Sequence, residues 1–468
     1  MKRKFLFLIL IVLIMCITVC GCGENDKNNS NIYKNETYSS SSELQSESDV
    51  SNSTENDIDI KIQVSYNFSE DKAWIKFQKS KNRTNYIGCI NKKGNLLFYY
   101  NVNNSNTAKV KPYSNGYSFL ETSNSLYLLD KNGTILQTYP VDSNNNNKQV
   151  IAYADGYVWC QEYVAEFDKA YFKYTLYGTD GKSVTDFKYE GTEPIDSMNY
   201  YEKKVWGYDK KNEGKSQKCY YCTEGDKWVN FSYIPNDEYQ FYFYDDTAII
   251  GTTYDDEDDS IGYLSLIDTK GNLSYAQLPE NVGRWHDIKC FALRENCCLL
   301  YNYSKDSLIS YNVSSDKFVK MDNEYVDKIN YDALPDDSNA LVFENGKIAL
   351  PLIGSDKESY IGLFDTSLNI IGEPIKSMIY DLSDGIFTIQ NKDVYDDNLN
   401  LLFSADDFGY KAVSPFHNGV AHAKNDGMQM SSGGDIYGYE GNWFYIDRNG
   451  EKLFDSVNIK QAKEIELP

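Results

Sequence analysis

Short apolar runs separated by glycine-containing turns dominate the chain from about residue 58 onward. Alternation of apolar and polar residues over a few positions predicts a β-strand, and two such runs around a glycine predict a hairpin. The clearest copies of this hairpin pattern are YIGCINKKGNLLFYY from Tyr86, LYLLDKNGTIL from Leu126, YTLYGTDGKSV from Tyr174, LSLIDTKGNL from Leu264 and NWFYIDRNGEKLF from Asn442. Looser copies of the pattern start at Leu308 and Tyr360.

The hairpins share a local chemistry and a regular spacing. An Asp or Asn at the end of the first strand can accept hydrogen bonds from the turn amides, and the glycine supplies the positive φ of a tight turn. Intervals of 39, 48, 44 and 46 residues separate the turn glycines Gly94, Gly133, Gly181, Gly225 and Gly271. The distance from Gly271 to Gly450 has room for four further intervals near 45 residues.

A period near 45 residues, with about four strands per unit, is typical of a β-propeller. One hairpin cannot bury its apolar face alone, so the units must stack on one another. We therefore predict an all-β chain with a propeller of seven or eight blades over residues 58–460, closed by pairing of segments before residue 80 and after residue 450. Together with the turns at Gly225 and near residue 398, the hairpins make nine marks. The predicted number of blades is lower, because each blade has several turns and the spacing between residues 365 and 398 is short. Two smaller β domains divided near residues 279–285 are the alternative.

Two segments carry a family resemblance. PFHNGVAHAK from Pro415, followed by NWFYIDRNGEKLF, resembles the WG-type bacterial repeat, in which an aromatic-x-x-Gly-x-Ala strand precedes a Gly/Trp-Tyr-Ile-Asp-x-x-Gly hairpin. The match extends over residues 415–453 and, more loosely, over residues 112–138. The resemblance implies an interaction scaffold without shared catalytic residues.

The first 57 residues have a different character. Lys2, Arg3 and Lys4 precede fifteen almost continuously apolar residues, which outline an export signal and are fewer than the roughly 20 of a stable membrane-spanning helix. Val19-Cys20-Gly21-Cys22 resembles the lipobox of bacterial lipoproteins. The resemblance implies a signal peptide over residues 1–21 and attachment of diacylglycerol and palmitate-type acyl chains at Cys22. Two incidental cysteines in an ordinary signal peptide are the alternative.

The anchor and the segment behind it predict where the protein lies. Two or more acyl chains hold a protein firmly to a bilayer, so Cys22 would anchor the chain to the outer leaflet of the cell membrane. Residues 22–57 are rich in Ser and Asn and predict a disordered tether.

Composition narrows the classes of partner. The chain has 69 acidic and 46 basic residues, a formal net charge of −23. Such a chain is repelled by phosphate backbones, so we expect no nucleic-acid partner. The 41 tyrosines favour strands.

The sequence contains few candidates for catalysis or metal binding. Its three histidines, His286, His417 and His422, accompany no nucleophile motif, and two of them lie five apart in a predicted strand, on opposite faces. Cys219 and Cys222 have the spacing of half a zinc knuckle without a second pair, and also face apart. We predict neither a cofactor nor a catalytic site.

Two further features have competing interpretations. The acidic stretch YDDEDDSIG suggests a weak calcium site at Asp255, Asp256, Asp258 and Asp259, and a solvated hairpin loop is the alternative. Exposed aromatic rings could stack on sugars, whereas aromatic residues of propeller strands pack between blades. The tryptophans concerned are Trp159, Trp206, Trp228, Trp285 and Trp443.

Taken together, the sequence predicts a lipid-anchored, extracytoplasmic β-propeller that binds a protein, a peptide or a cell-wall polymer. One alternative is a surface hydrolase with carboxylates at the mouth of the propeller channel. Another is the solute-binding lipoprotein of a transporter, which requires alternating strands and helices.

Overall fold

β-strands joined by tight turns make up the part of the chain that this computed structural model describes. Cys22, the acidic stretch with Asp255, Asp256, Asp258 and Asp259, and His286 lie outside it. The described residues are 60–79, 84–102, 108–141, 148–166, 169–190, 193–195, 198–212, 215–231, 243–254, 262–282, 287–335, 341–378, 380–425, 438–440, 442–454 and 456–468.

The described strands pair into nine sheets, called blades 1 to 9 in chain order. Blade 1 contains β1 (Ile60–Tyr66), β2 (Lys72–Lys79), β3 (Asn85–Asn91) and β4 (Leu96–Asn101); blade 2 contains β5 (Lys109–Val110), β6 (Tyr117–Glu121), β7 (Ser125–Asp130) and β8 (Ile135–Pro140). Blade 3 contains β9 (Lys148–Ala154), β10 (Tyr157–Ala165), β11 (Ala170–Tyr177) and β12 (Ser183–Tyr189); blade 4 contains β13 (Asn199–Tyr200), β14 (Val205–Asn212), β15 (Lys215–Cys222) and β16 (Lys227–Phe231).

The remaining blades follow the same plan with three or four described strands. Blade 5 contains β17 (Thr247–Tyr254), β18 (Gly262–Asp268) and β19 (Leu273–Gln277); blade 6 contains β20 (Ile288–Cys290), β21 (Cys297–Asn302), β22 (Ser307–Asn312) and β23 (Lys317–Lys320). Blade 7 contains β24 (Lys347–Ile353), β25 (Ser359–Asp365) and β26 (Ile370–Lys376); blade 8 contains β27 (Tyr380–Ser383), β28 (Ile386–Ile389), β29 (Asp393–Asp396) and β30 (Leu401–Ser404). Blade 9 contains β31 (Ala412–Val413), β32 (Ala421–Lys424) and β34 (Trp443–Ile446), while β33 (Gly438–Glu440) and β35 (Lys463–Ile465) join the two edges of blade 1.

Helical structure in the described ranges is limited to short 3-10 turns, and no α-helix occurs there. The alternating strands and helices that a solute-binding lipoprotein requires are therefore not formed by these residues. The 3-10 turns are Thr223–Gly225, Glu280–Val282, Val326–Lys328, Tyr331–Ala333 and Ala405–Phe408.

The all-β propeller is confirmed, but the prediction of seven or eight blades is wrong, because the described residues form nine. Each hairpin counted in the sequence marks one blade. The close spacing near residues 365–398 arises because blade 8 has four strands of only four residues each, joined by short turns. Blade 8 is a short blade of its own and not an extra turn of a neighbouring blade.

Nine apolar clusters fill the spaces between neighbouring blades, and they show that the ring is closed. One cluster joins blades 5 and 6 through residues such as Leu264 and Leu300, across the segment proposed as a domain boundary. The last joins blade 9 to blade 1, where Val420 and Tyr445 pack with Ile75 and Phe77. The other seven join blades 1 and 2, 2 and 3, 3 and 4, 4 and 5, 6 and 7, 7 and 8, and 8 and 9.

Alternation along the second strand of each blade builds these clusters. Successive side chains of a strand point to opposite faces of the sheet. In β6, Phe119 packs toward blade 3 and Leu120 toward blade 1. Each blade therefore contributes to two clusters and depends on both neighbours.

The ends of the ring meet in blade 1. Tyr445 Oη of blade 9 donates a hydrogen bond of 2.9 Å to the Tyr66 carbonyl, and β33 pairs antiparallel with β1. The segment after residue 450 pairs with β4 instead, through the parallel strand β35. Asn458 lies just before β35, and its Nδ2 donates a hydrogen bond of 3.3 Å to Asn95 Oδ1 of blade 1. The predicted pairing of the segments before residue 80 and after residue 450 with each other is therefore wrong, because β33 pairs with β1 and β35 pairs with β4.

The turn chemistry expected from the sequence is present. In blade 2, Asp130 Oδ1 accepts hydrogen bonds from the amides of Asn132 and Thr134 at 2.8 and 2.7 Å, and Gly133 has φ of +77°. Equivalent amide bonds are accepted by Asn91, Asp268, Asp365, Asp396 and Asp447.

Substitution of Gly133 by alanine tests the packing of this turn on the preceding blade. An added Cβ would lie 2.4 Å from Phe98 Cδ2 of blade 1, whereas at Gly116, with a similar φ of +80°, it would meet nothing within 4 Å. We expect Gly133→Ala to lower the free energy of unfolding by about 2–4 kcal/mol, the sum of left-handed strain and overpacking, and Gly116→Ala by about 1–2 kcal/mol. Urea unfolding measures both; equal losses would contradict the close approach to Phe98.

Candidate functional site

A cavity of about 660 Å³ opens beside the first strands of blades 2, 3 and 4. Its walls come mainly from these strands and from the first turns, by which we mean the turns that precede the second strand of a blade or, in blades 5 and 7, the first described strand. A cavity of this size is typical of ligand sites. The residues that give it chemical character are Lys111, Tyr113, Tyr153, Asp155, Tyr200 and Glu202.

Lys111 supplies the cation of the cavity. It follows β5, and its carbonyl accepts hydrogen bonds from Trp74 Nε1 at 3.0 Å and from Ser118 Oγ at 2.5 Å, which fixes its backbone. Its ammonium lies 5.2 Å from the ring centroid of Tyr153. Burial lowers the pKa of Lys111, and the charges of Glu121 and Glu202 oppose this. Within the described part of the chain, no carboxylate oxygen lies within 4.0 Å of the ammonium.

Asp155 ties three blades together at the cavity wall. It sits in the first turn of blade 3 and is 7% exposed. Its Oδ2 accepts hydrogen bonds from Asn115 Nδ2 of blade 2, at 2.9 Å, and from the Tyr200 hydroxyl of blade 4. Tyr200 Oη in turn accepts a bond of 3.3 Å from the Lys204 amide. Burial, followed by the bond to Asp155, raises the pKa of Tyr200, so this phenol stays neutral.

Glu202 lies in a first turn that departs from the pattern of the other blades. Glu202, Lys203 and Lys204 have φ values of 66°, 46° and 62°, where blades 2 and 3 use Asn115-Gly116 and Asp155-Gly156. Three successive non-glycine residues in the left-handed region are strained, and such strain is concentrated at functional sites. Glu202 is thus held in a strained turn at the wall of the cavity.

The Glu202 carboxylate differs from its acidic neighbours because it is unengaged. Solvent reaches the side chain, but the cavity walls surround it, and this burial together with the Asp155 charge raises the pKa of Glu202. Among the described residues, it has no hydrogen-bond or ion-pair partner. Glu121, by contrast, accepts a bond of 2.5 Å from Tyr153 Oη.

The strain in this turn predicts a stabilising substitution. Lys203→Gly removes the strain of a non-glycine residue in the left-handed region, which costs roughly 1–2 kcal/mol. Glycine in turn loses more backbone entropy on folding, which costs roughly 0.5–1 kcal/mol. We therefore expect the free energy of unfolding to rise by about 0.5–1 kcal/mol. Lys131→Gly, in a turn where the lysine has no positive φ, is the control and should destabilise. A loss of stability for Lys203→Gly in urea unfolding would contradict the strained turn.

Carboxylates on the other first turns form what we call the carboxylate belt. Each accepts hydrogen bonds from amides in the first turn of the next blade. Glu295 accepts from Asn345 and Gly346 at 2.7 and 2.6 Å, for example. The belt comprises Glu70, Asp245, Glu295, Glu344 and Asp384. These acids position neighbouring blades, which distinguishes them from Glu202.

The structure separates the predicted histidine and cysteine candidates. His422 is buried and His417 lies in the first turn of blade 9. Cys219 packs between blades 3 and 4, and Cys222 between blades 4 and 5, so they face apart as expected. None of the seven described cysteines forms a disulfide, and all seven are buried. Within the described ranges, no group of three or more His, Cys, Asp or Glu side chains could hold a metal ion.

The described tryptophans follow the packing interpretation. Trp159 and Trp206 are fully buried between blades 3 and 4, and Trp228 packs against the same cluster. Trp443 is 8% exposed, and Trp285 lies outside the described residues. These rings stabilise the blades, and only Trp206 among them borders the cavity.

Sequence reasoning missed Lys111, Asp155 and Glu202. One signal was available for Glu202: the segment Tyr201-Glu202-Lys203-Lys204 stands where neighbouring blades have Asn-Gly or Asp-Gly. No comparable signal marks Lys111.

Comparison with known proteins adds no family. No family model matches the chain, and no curated protein matches it. It is similar to a solved structure described as the eukaryotic initiation factor, with 12% identity and a TM-score of 0.45 over 85% of this chain and 97% of that one. A post-proline cleaving enzyme from Rickettsia typhi has 10% identity and a TM-score of 0.32, over 79% of this chain and 58% of that one.

A third similar structure is a puromycin-hydrolyzing peptidase of Mycobacterium tuberculosis, with 10% identity and a TM-score of 0.26 over 70% of this chain and 58% of that one. At these values none of the likenesses carries an argument about activity. The resemblance to WG-type repeats stays a prediction. In the part of the chain that the structure describes, no helix has the length and apolar character needed to cross a bilayer.

Proposed function

We propose that this chain is a lipid-anchored, extracytoplasmic scaffold whose propeller binds a protein, a peptide or a cell-wall polymer in the cavity beside blades 2 to 4. The observation that supports the proposal is a cavity of about 660 Å³ that contains one unpaired cation, Lys111, and one unpaired carboxylate, Glu202. Lys111 is half-buried, and leaving its ammonium without an anionic protein partner costs free energy. A ligand carboxylate offsets that cost, and the solvent-accessible Glu202 carboxylate is open to a ligand cation.

The carboxylate belt favours binding over hydrolysis. A glycosidase needs two carboxyl groups that are free to act as acid and base or nucleophile. The belt acids accept hydrogen bonds from turn amides instead, and Asp155 accepts bonds from Asn115 and Tyr200. Glu202 is the exception.

A surface hydrolase is the second candidate, because Asp155 and Glu202 both line the cavity and the raised pKa of Glu202 suits a general acid. Its test is turnover of peptides or wall glycans by the purified chain. Activity abolished by Glu202→Gln, with binding retained, would favour the hydrolase. Binding without turnover favours the scaffold.

Capture of surface material by the immobilised protein tests the binding function. We expect the protein to retain a peptide or wall ligand, and Lys111→Met to lose it. Lys317→Met is the matched control, because Lys317 is exposed on β23 of blade 6. Retention of the same ligand by wild type and Lys111→Met would place binding elsewhere and contradict the proposal.

The proposed anchor has its own test. Cys22→Ser removes the thiol that would carry the diacylglycerol, so we expect the protein to move from the membrane fraction to the soluble fraction. The mass of the wild-type N-terminal peptide should show the added acyl chains. An unmodified Cys22, or unchanged membrane association of Cys22→Ser, would contradict lipidation at this residue.

A further inference from the structure

We propose that the cavity binds the free ends of short peptides, with the ligand carboxylate on the Lys111 ammonium and the ligand ammonium on the Glu202 carboxylate. The inference rests on the proposed function, namely that this cavity is a ligand site, and it adds the chemical class of the ligand.

The charges of Lys111 and Glu202 lie near each other without forming an ion pair. Lys111 and Glu202 influence each other electrostatically, so they belong to one environment. No ion pair of 4.0 Å or less joins them, although both side chains are described. The protein thus presents opposite charges that do not neutralise each other, and a ligand can lie between them.

The other carboxylates at the cavity are already engaged in hydrogen bonds within the protein. Glu121 accepts a bond from Tyr153 Oη, and Asp155 accepts bonds from Asn115 and the Tyr200 hydroxyl. These contacts hold the walls in place. The groups left for a ligand are the Lys111 ammonium and the Glu202 carboxylate.

Two opposite charges in one cavity disfavour ligands that carry a single charge. A simple anion on Lys111 would meet the negative charge of Glu202, and a simple cation on Glu202 would meet the positive charge of Lys111. A zwitterion satisfies both with charge-assisted hydrogen bonds, which are about twice as strong as neutral ones. The cavity volume of about 660 Å³ accommodates a peptide of a few residues.

The tyrosines suit the peptide between its ends. Tyr113, Tyr153 and Tyr200 line the cavity, and their rings offer apolar area to small side chains while their hydroxyls are engaged with protein acceptors. Ligand specificity therefore resides mainly in the two charged ends.

Calorimetric titration of the full chain in detergent with trialanine tests this inference. We expect the peptide with free ends to bind, and the N-acetylated and C-amidated peptides each to bind about 10-fold or more weakly, because each loses one charged contact. Equal affinity for free and capped peptides would overturn the inference.

Variants assign each end to a residue. Lys111→Met should bind the free and C-amidated peptides equally and still disfavour the N-acetylated one; Glu202→Gln should show the reverse. Lys317→Met and Glu373→Gln, both exposed and outside the cavity, should behave as wild type. Each variant should lose only one of the two preferences, the one for a free carboxylate or the one for a free ammonium. A variant that loses both preferences, or keeps both, would overturn the assignment.

The same variants separate failure of this inference from failure of the proposed function. One outcome is that a wall glycan binds, that Lys111→Met weakens the binding of this glycan, and that no peptide binds. In that case the inference about peptide ends is wrong, but the cavity remains a ligand site. If whatever ligand binds the wild type also binds Lys111→Met and Glu202→Gln with unchanged affinity, both are wrong.

Discussion

Lowering the pH from 7.5 to 5 is expected to lower the free energy of unfolding by about 2 kcal/mol through His422 alone. His422 lies on β32 at the contact between blades 9 and 1 and is 1% exposed. Its ring stacks at 4.1 Å on Tyr439 and lies 4.5 Å from Tyr445. Neither ring nitrogen has a hydrogen-bond partner among the described residues.

The direction of this effect follows from the pKa of His422. Burial, aided by the charge of His417, lowers the pKa of His422 to about 3, from 6.5 in an exposed histidine. Below pH 6.5 the unfolded chain therefore binds a proton that the folded chain does not. The contribution of His422 to the free energy of unfolding is fully present above pH 6.5. It falls as the pH drops toward 3, by up to about 1.4 kcal/mol per pH unit.

His422→Phe is the control for the acid effect. Phenylalanine keeps a ring between the two tyrosines and does not titrate, so the difference in unfolding free energy between pH 7.5 and 5 should shrink by about 2 kcal/mol. Glu202 and Glu344 have raised pKa values and act in the opposite direction at low pH in both proteins. An unchanged difference in His422→Phe would contradict burial of the imidazole at the ring closure.

Replacing Trp74 by alanine is expected to cost about 3–5 kcal/mol of stability and to abolish ligand binding in the cavity. Trp74 is 1% exposed between blades 1 and 2 and stacks on Tyr113 at 5.7 Å. Its indole nitrogen donates to the Lys111 carbonyl and, at 3.1 Å, to Ser118 Oγ. One side chain thus stabilises a blade contact and positions the cation of the cavity.

A second variant separates these two roles of Trp74. Trp74→Phe keeps an aromatic ring but removes the donor, so we expect a smaller cost of about 1–3 kcal/mol together with weaker ligand binding. Urea unfolding and calorimetry give the two quantities. A loss of less than about 1 kcal/mol for Trp74→Ala would show that the residue is not packed between blades.

The repeat architecture could be predicted because its causes are local. Asp130 and Gly133 lie within a few residues of each other, and their hydrogen bonds and φ angle follow from residue type alone. The predicted number of blades is wrong because of blade 8, whose four-residue strands shorten the spacing between Asp365 and Asp396. Blade length depends on loop lengths, which the hairpin pattern does not specify.

The cavity could not be predicted because its charges come from different blades. Lys111 and Glu202 are far apart in sequence, and each looks like an ordinary surface residue there. They meet only because blades 2, 3 and 4 pack side by side. Whether a carboxylate is free or engaged is also a tertiary property, as the contrast between Glu202 and Glu295 shows.

The most direct test of a closed ring is a disulfide between its two ends. Asn95 of blade 1 and Asn458 after blade 9 have side chains 3.3 Å apart. We predict that Asn95→Cys/Asn458→Cys forms an intramolecular disulfide in most native molecules, seen as a reducible mobility shift of the monomer. Asn95→Cys/Ser315→Cys, whose second cysteine lies in blade 6, should not. An Asn95→Cys/Asn458→Cys protein that stays reduced, or links only into dimers, would contradict closure.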